Sequence, residues 1–227
     1  MMQQRIQTIQ KRIDEAALKS GRSGKDITLI AVSKMHTVEE IKEALSCGIT
    51  NLGENKVQEL NSKYPEITEA VNWHLIGHLQ TNKVKQIVDK VSLIHSVDSL
   101  HLAQEIDKRC REIGKTMDIL IQVNAAGEES KFGVPCEEAL PLAEEIRKTC
   151  PNIKIRGLMH IAPAADNPDD VRQYFRDVKN IYNQMTDVDI LSMGMSHDFE
   201  VAIEEGANMV RIGTSIFGER NYSHGIF

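Results

Sequence analysis

The sequence predicts an α/β protein organised around a parallel sheet, and three observations predict it. Short, nearly unbroken apolar runs such as Ile27-Thr28-Leu29-Ile30-Ala31-Val32-Ser33 and Met117 to Asn124 read as strands buried on both faces. Segments with apolar residues at helical spacing alternate with those runs, and βαβα repetition buries a parallel sheet beneath helices. The runs number about eight, the count that closes a barrel. A doubly wound open sheet competes, but it would normally need fewer strands and a Gly-rich turn after the first, and no GxGxxG follows Lys34. A single TIM-type (β/α)8 barrel with an extra N-terminal helix, spanning residues 1–227, is the expectation.

The chain opens on Met1 to Ser20, where Ile6, Ile9, Ile13 and Ala17 recur at helical spacing; the segment is rich in Gln, Lys and Arg and lacks the apolar core of a signal peptide. Strands are expected at Ile27–Ser33, Thr50–Gly53, Asn72–Gly77, Leu93–Ser96, Met117–Asn124, Ile153–Met159, Asp189–Ser192 and Met209–Gly213. Val38, Ile41 and Leu45 set a helix after the first strand, and Val171, Tyr174, Phe175, Val178 and Tyr182 paint the clearest apolar stripe. Gly48, Gly114 and Gly206 fall just past helical segments, where helices commonly end.

At 227 residues the chain can bury one large core, and no Pro-, Gly- or Ser-rich stretch divides it. A charged fraction of 26% with a net charge of −6 lacks the basic excess that nucleic-acid binding needs, and aromatics at 4% leave few stacking platforms. No nucleic-acid partner is expected. No run approaches the ~18 apolar residues of a membrane span, so a cytoplasmic protein is expected. Cys47, Cys110, Cys136 and Cys150 are widely scattered, without CxxC or zinc-finger spacing, and read as free thiols. No apolar seam announces a dimer; a monomer is expected.

The first strand stops at Lys34, and in parallel α/β folds ligands sit at the carboxyl ends of strands. An ammonium beside a packed core has its charged form disfavoured, so the neutral amine can attack a carbonyl to form a Schiff base. A solvated lysine at a strand end would satisfy the same letters. The final strand, Met209-Val210-Arg211-Ile212-Gly213-Thr214, carries a single arginine and ends at the usual phosphate-binding corner of such barrels, where Gly213 lets backbone N–H groups approach and Thr214 offers a hydroxyl. Upstream, Ser192-Met193-Gly194-Met195-Ser196-His197-Asp198 leads from the seventh strand into a helix, with Ser196 placed as its N-cap and the helix start as an anion donor. Ser196 as an ordinary cap and Arg211 as a structural ion pair are the bland alternatives. Together, a carbonyl-reactive lysine and a phosphate cup describe a site for a phosphorylated aldehyde.

These residues resemble the pyridoxal phosphate homeostasis proteins, which are related to the N-terminal barrel of alanine racemase. The resemblance runs through Ala31-Val32-Ser33-Lys34, Asn51-Leu52-Gly53-Glu54-Asn55, Trp73-His74-Leu75-Ile76-Gly77-His78-Leu79-Gln80, Gly127-Glu128-Glu129-Ser130-Lys131, Gly157-Leu158-Met159, Ser192 to Ser196 and Arg211-Ile212-Gly213-Thr214. It implies that Lys34 holds pyridoxal 5′-phosphate (PLP) as a Schiff base, that Ser196, Gly213 and Thr214 bind its phosphate, and that Arg211 faces the pyridine nitrogen. An arginine there can only donate, so it favours an unprotonated ring and weakens the ring as an electron sink. Racemase-type enzymes sharing this arginine compensate with a base from an additional β domain, and no such domain is expected after Gly218.

The resulting expectation is a PLP carrier or regulator without turnover of its own, with PLP-dependent apoenzymes as partners and no catalytic residues assigned. An amino-acid racemase or decarboxylase of the same fold is the leading alternative, and a Schiff-base aldolase on a phosphorylated sugar is a third. Asn55 either bonds the cofactor's phenolic oxygen or forms a turn. His78 either lies against the ring or is a solvated loop residue. Met159 either packs on the cofactor or fills the core. The charged loop Ala125 to Gly133 either covers the site, contacts a protein, or is a mobile surface loop. His74 and His78 flank a strand end where period-two geometry keeps them apart, and no HExxH accompanies them, so no metal is expected.

Overall fold

The structure is a computed structural model that describes residues 1–218; residues 219–227 of the expected 1–227 domain lie outside the described residues. Eight parallel strands close a barrel in sequential order. They are β1 Thr28–Val32, β2 Asn51–Glu54, β3 Asn72–Leu75, β4 Leu93–Val97, β5 Met117–Val123, β6 Ile153–His160, β7 Ile190–Ser192 and β8 Met209–Ile212. Closure comes from β1 pairing β8, with Ala31 opposite Ile212 and Ile30 opposite Arg211. The expected barrel is therefore present, with strand ends displaced by one or two residues; β3 stops at Leu75 rather than Gly77, and β8 at Ile212 rather than Gly213.

Helices α1 Met2–Lys19, α2 Val38–Ser46, α3 Val57–Lys63, α4 Leu100–Glu112, α5 Ala139–Thr149, α6 Arg172–Tyr182, α7 Phe199–Glu204 and α8 Thr214–Phe217 accompany them. Each longer helix buries the stripe its spacing marks. In α6 these are Phe175, Val178 and Ile181, while Tyr174 and Tyr182 are only partly covered. The extra helix α1 buries Ile6, Ile9, Ile13 and Ala17 against α7 and α8, and Arg12 grips Glu200 of α7 through two bonds of 2.8 and 2.7 Å. Thr37 caps α2 reciprocally with Glu40, which fixes the chain's direction soon after Lys34. Gly48, Gly114 and Gly206 follow α2, α4 and α7 by two residues, as their spacing predicts.

One crossover differs from the helical pattern. Between β3 and β4 the chain forms a 3-10 segment, Thr81–Gln86, because this run offers a single apolar residue, Val84, to bury.

Alternation along the strands separates two cores. Ile30, Leu93, Leu120, Met159 and Met209 fill the barrel interior, and a larger cluster packs between strands and helices. Met159 is fully buried in that inner cluster. The same alternation turns Asn51, His74, His95, Ser192 and Arg211 into the interior, so the barrel is apolar in one part and polar in another.

Candidate functional site

The carboxyl end of β1 is a built turn rather than a loose end. Ser33 accepts the N–H of His36 at 3.1 Å, which puts Lys34 and Met35 at the corner, and Met35 has φ +63, a conformation uncommon for a residue other than glycine. Behind the corner lies an ionic cluster. Lys63 of α3 donates to the Ser33 carbonyl at 2.7 Å, to Glu54 at 2.8 Å and to Glu59 at 2.7 Å. Glu59 in turn accepts the Met35 N–H, and the Ser33 hydroxyl donates to Glu54 at 2.6 Å. All three ionic side chains are buried. Burial pushes the Glu54 carboxyl up to about 7 against the pull of Lys63. The cluster clamps the backbone on both sides of Lys34 and thereby supports the strained corner.

The ends of β7 and β8 come together beside this turn. The Arg211 N–H donates to the Gly194 carbonyl at 3.0 Å, tying the loop after β7 to β8. Gly213 lies against β1, where a Cβ would stand 3.3 Å from both the Cβ and the carbonyl oxygen of Val32, two residues before Lys34. Thr214 follows as the first residue of α8. Strand pairing thus brings Lys34, Arg211, Gly213 and Thr214 to one corner of the barrel mouth, with Ser196 on the adjoining loop.

Ser196 does not cap α7. That helix starts at Phe199 with Asp198 at its N-cap, and Ser196 lies in the preceding turn. The reason is local: the Asp198 carboxylate accepts the Met195 N–H at 2.6 Å, closing a turn over Met195 to Asp198 that leaves the Ser196 hydroxyl without the capping role. Arg211 is 3% exposed and donates to Ser192 Oγ at 2.6 Å and to the His160 carbonyl at 2.8 Å. Burial lowers its pKa to about 10, which still leaves it a cation at neutral pH.

The other candidates follow β2 and β3, on the opposite flank of β1 from β8. Asn55 follows β2 directly, and Gly77 packs so closely on it that a Cβ there would fall 2.3 Å from the Asn55 carbonyl oxygen. His78 stacks on Phe132 with ring centroids 3.7 Å apart and planes 9° from parallel. It lines a cavity of about 480 Å³ together with Asp98, Ser99 and Leu102. The loop at 125–133 is folded down over this side. Asn124 holds the carbonyls of Glu128 and Lys131 at 2.9 and 3.2 Å, Lys131 reaches the Ala162 carbonyl at 3.2 Å, and Gln122 holds that of Phe132 at 3.1 Å. Met35, Phe132 and Met195, three of the exposed large apolar residues, all lie on loops at the carboxyl ends of strands.

Sequence reasoning missed a row of polar side chains through the barrel interior. His74 Nδ1 meets His95 Nε2 at 3.0 Å, His95 Nδ1 meets Ser192 Oγ at 3.1 Å, and His74 Nε2 meets Asn51 Oδ1 at 3.2 Å. The signal was present in the letters: His74 and His95 interrupt apolar strand runs, where a polar residue must find a partner. Burial pushes His74 down to about 4 and His95 well below the ordinary range, so both rings are neutral at pH 7.

The family description of the alanine racemase N-terminal domain matches residues 5–221 of this chain. A pyridoxal phosphate homeostasis protein from Aquifex aeolicus is 46% identical over 225 residues, covering 96% of this chain and 98% of the relative. A second, from Helicobacter pylori, is 41% identical over 218 residues, covering 95% and 98%. PipY from Synechococcus elongatus, solved with PLP bound, superposes with a TM-score of 0.83 at 31% identity, covering 96% of this chain and all of PipY. The chain belongs to the pyridoxal phosphate homeostasis protein family.

Proposed function

We propose that this protein binds pyridoxal 5′-phosphate at the corner between β1 and β8 and serves to hold and release it. One observation carries the reading: the contact of Gly213 with Val32 sets the backbone of the anion cup beside the turn that presents Lys34. The residues fit the group. A side chain at 213 would fill the space its backbone leaves, Thr214 adds a hydroxyl, and Arg211 offers a buried cation whose bonds to the protein all go to neutral oxygens. The family name and the PLP-bound relative point the same way.

When bound, PLP supplies an electrophilic aldehyde and an electron-withdrawing pyridine ring. Lys34 contributes the amine that captures the aldehyde, and Ser196, Gly213 and Thr214 grip the phosphate. Arg211 lies toward the ring nitrogen as a pure donor and keeps protons off it, which restrains carbanion chemistry. Asn55 and His78 border the site, His78 with its face committed to Phe132. The exposed apolar residues Met35, Phe132 and Met195 suit transient contact with PLP-dependent apoenzymes at the mouth. The chain acts as a monomer.

Absorbance tests the reading. The purified protein is expected to be yellow, and Lys34→Ala colourless and unable to regain colour from added PLP. A wild-type protein that takes up no PLP would overturn it. Incubation of the loaded protein with a panel of amino acids in deuterated water separates carrier from racemase: the carrier leaves stereochemistry and α-protons untouched, whereas enzyme-like deuterium uptake would replace it with the racemase reading.

A further inference from the structure

Arg211 presents an unusual electrostatic problem. Its guanidinium is 3% exposed, its hydrogen bonds go to a hydroxyl and a backbone carbonyl, and among the described residues no carboxylate forms an ion pair with it. The charge of Asp198 favours the cation without forming an ion pair with it, and its Oδ1 accepts the Met195 N–H. A buried cation without a counter-ion is costly unless oriented dipoles replace the missing charge.

The row Asn51, His74, His95 and Ser192 supplies such dipoles, and its direction is forced. Arginine only donates, so Ser192 Oγ must accept from Nη1 at 2.6 Å. A hydroxyl has a second lone pair and could accept again, so the row's direction is set at its other end, where Asn51 Oδ1 only accepts and His74 Nε2 at 3.2 Å must donate. The same oxygen also accepts from Asn72 at 3.1 Å. A neutral His74 then has a bare Nδ1, so a neutral His95 carries its proton on Nε2 and donates to it at 3.0 Å, which leaves His95 Nδ1 to accept the Ser192 hydroxyl at 3.1 Å. Every hydrogen in the row points away from Arg211 and every acceptor lone pair points toward it. Reversal would set the lone pair of His74 Nε2 against that of Asn51 Oδ1, and an added proton on either ring would set N–H against N–H or O–H.

We propose that this one-way row is the counter-charge of Arg211: three neutral side chains, His74, His95 and Ser192, align their dipoles on the guanidinium and fix it as a donor, acting as positioning residues for the cation. The inference deepens the reading that Arg211 faces the PLP ring and, in its spectroscopic arm, rests on it. Its consequence is chemical. A carboxylate in the same place would hold the arginine equally well, but its negative charge would favour a protonated ring nitrogen. The neutral row holds the cation while adding no net negative charge.

Two measurements test it. Long-range 15N–1H correlation on 15N-histidine-labelled protein without cofactor, at pH 7, is expected to show His74 and His95 both as neutral Nε2–H tautomers. An Nδ1–H tautomer or a doubly protonated ring at either position would overturn the proposal, whether or not Lys34 carries PLP. In PLP-loaded protein, His95→Leu is expected to free the guanidinium from the ring and raise the pH midpoint of the chromophore's titration by about one unit, a roughly tenfold gain in proton affinity. His95→Gln, which can accept and donate in line, is expected to keep the wild-type midpoint. A folded, loaded His95→Leu with an unmoved midpoint would make the row mere core packing and overturn the proposal. A wild type that takes up no PLP sinks the functional reading instead, and the tautomers alone then decide the row.

Discussion

Lys63→Met removes the ammonium clamped between two carboxylates behind the Lys34 turn. Methionine preserves an unbranched apolar stem, so the change is confined to one charge and three hydrogen bonds of 2.7, 2.8 and 2.7 Å, to Ser33, Glu54 and Glu59. Taking one partner out of a buried ionic cluster costs roughly 3–5 kcal/mol. For a chain of this size each kcal/mol moves the melting temperature by about 2–4 °C, so a fall on the order of 10 °C is expected. The loss also depends on pH. Burial, aided by Glu59, already holds the Glu54 pKa at about 7, above its ordinary 4.5, even with Lys63 present. The folded protein therefore keeps a proton that the unfolded chain releases, and the stability this group contributes below about pH 4.5 is lost as pH rises through about 7. Without Lys63 the folded-state pKa rises further, and the loss deepens and extends to higher pH. Urea unfolding of both proteins near pH 5.5 and pH 8 is the assay, with the variant's deficit expected to be larger at pH 8 by about 1 kcal/mol or more. A deficit equal at the two pH values, or a melting temperature within about 2 °C of wild type, would refute the clamp.

Other substitutions probe the mouth. Gly194→Ala puts a side chain on a residue with φ +93 and within 2.7 Å of the Phe199 Cα, so it should displace the loop bearing Ser196 and weaken PLP binding more than Ser196→Ala does, as read by equilibrium dialysis. Ser196→Ala and Thr214→Ala should each weaken binding by about 0.5–1.5 kcal/mol, because backbone donors remain; no loss in the double variant would remove both from the phosphate site. Phe132→Ala breaks the 3.7 Å stack on His78 and is expected to cost about 0.5–1.5 kcal/mol locally, seen as faster hydrogen exchange across residues 125–133 with global stability little changed. Unchanged exchange there would mean that the Asn124 and Gln122 bonds hold the loop without the stack.

The barrel was legible because strands such as β1 and β5 are largely apolar runs bounded by polar residues, a local pattern needing no tertiary information. Lys34, Arg211, Gly213 and Thr214 were legible for a related reason: a strand's end, its two-residue alternation and the barrel's closure together fix where they stand. What failed depended on particular contacts. The helix after β7 begins beyond Ser196 because Asp198 spends its carboxylate on Met195, a choice that spacing does not reveal. Glu59 and Lys63 stand four apart on α3, a spacing equally suited to an exposed pair, and only the fold brings them against the Lys34 turn. His74 and His95 meet only because β3 and β4 are neighbours and both residues turn inward, so their contact appears once register is known. The pairing of His78 with Phe132 joins two loops on different strand ends, and nothing local to either announces it.

Covalent capture at one amine is the most direct test of the account. Borohydride reduction of the PLP-loaded protein, followed by peptide mass analysis, is expected to place a single pyridoxyl group on Lys34. A reduced adduct located on any other lysine, or no adduct on protein that is visibly loaded, would contradict it.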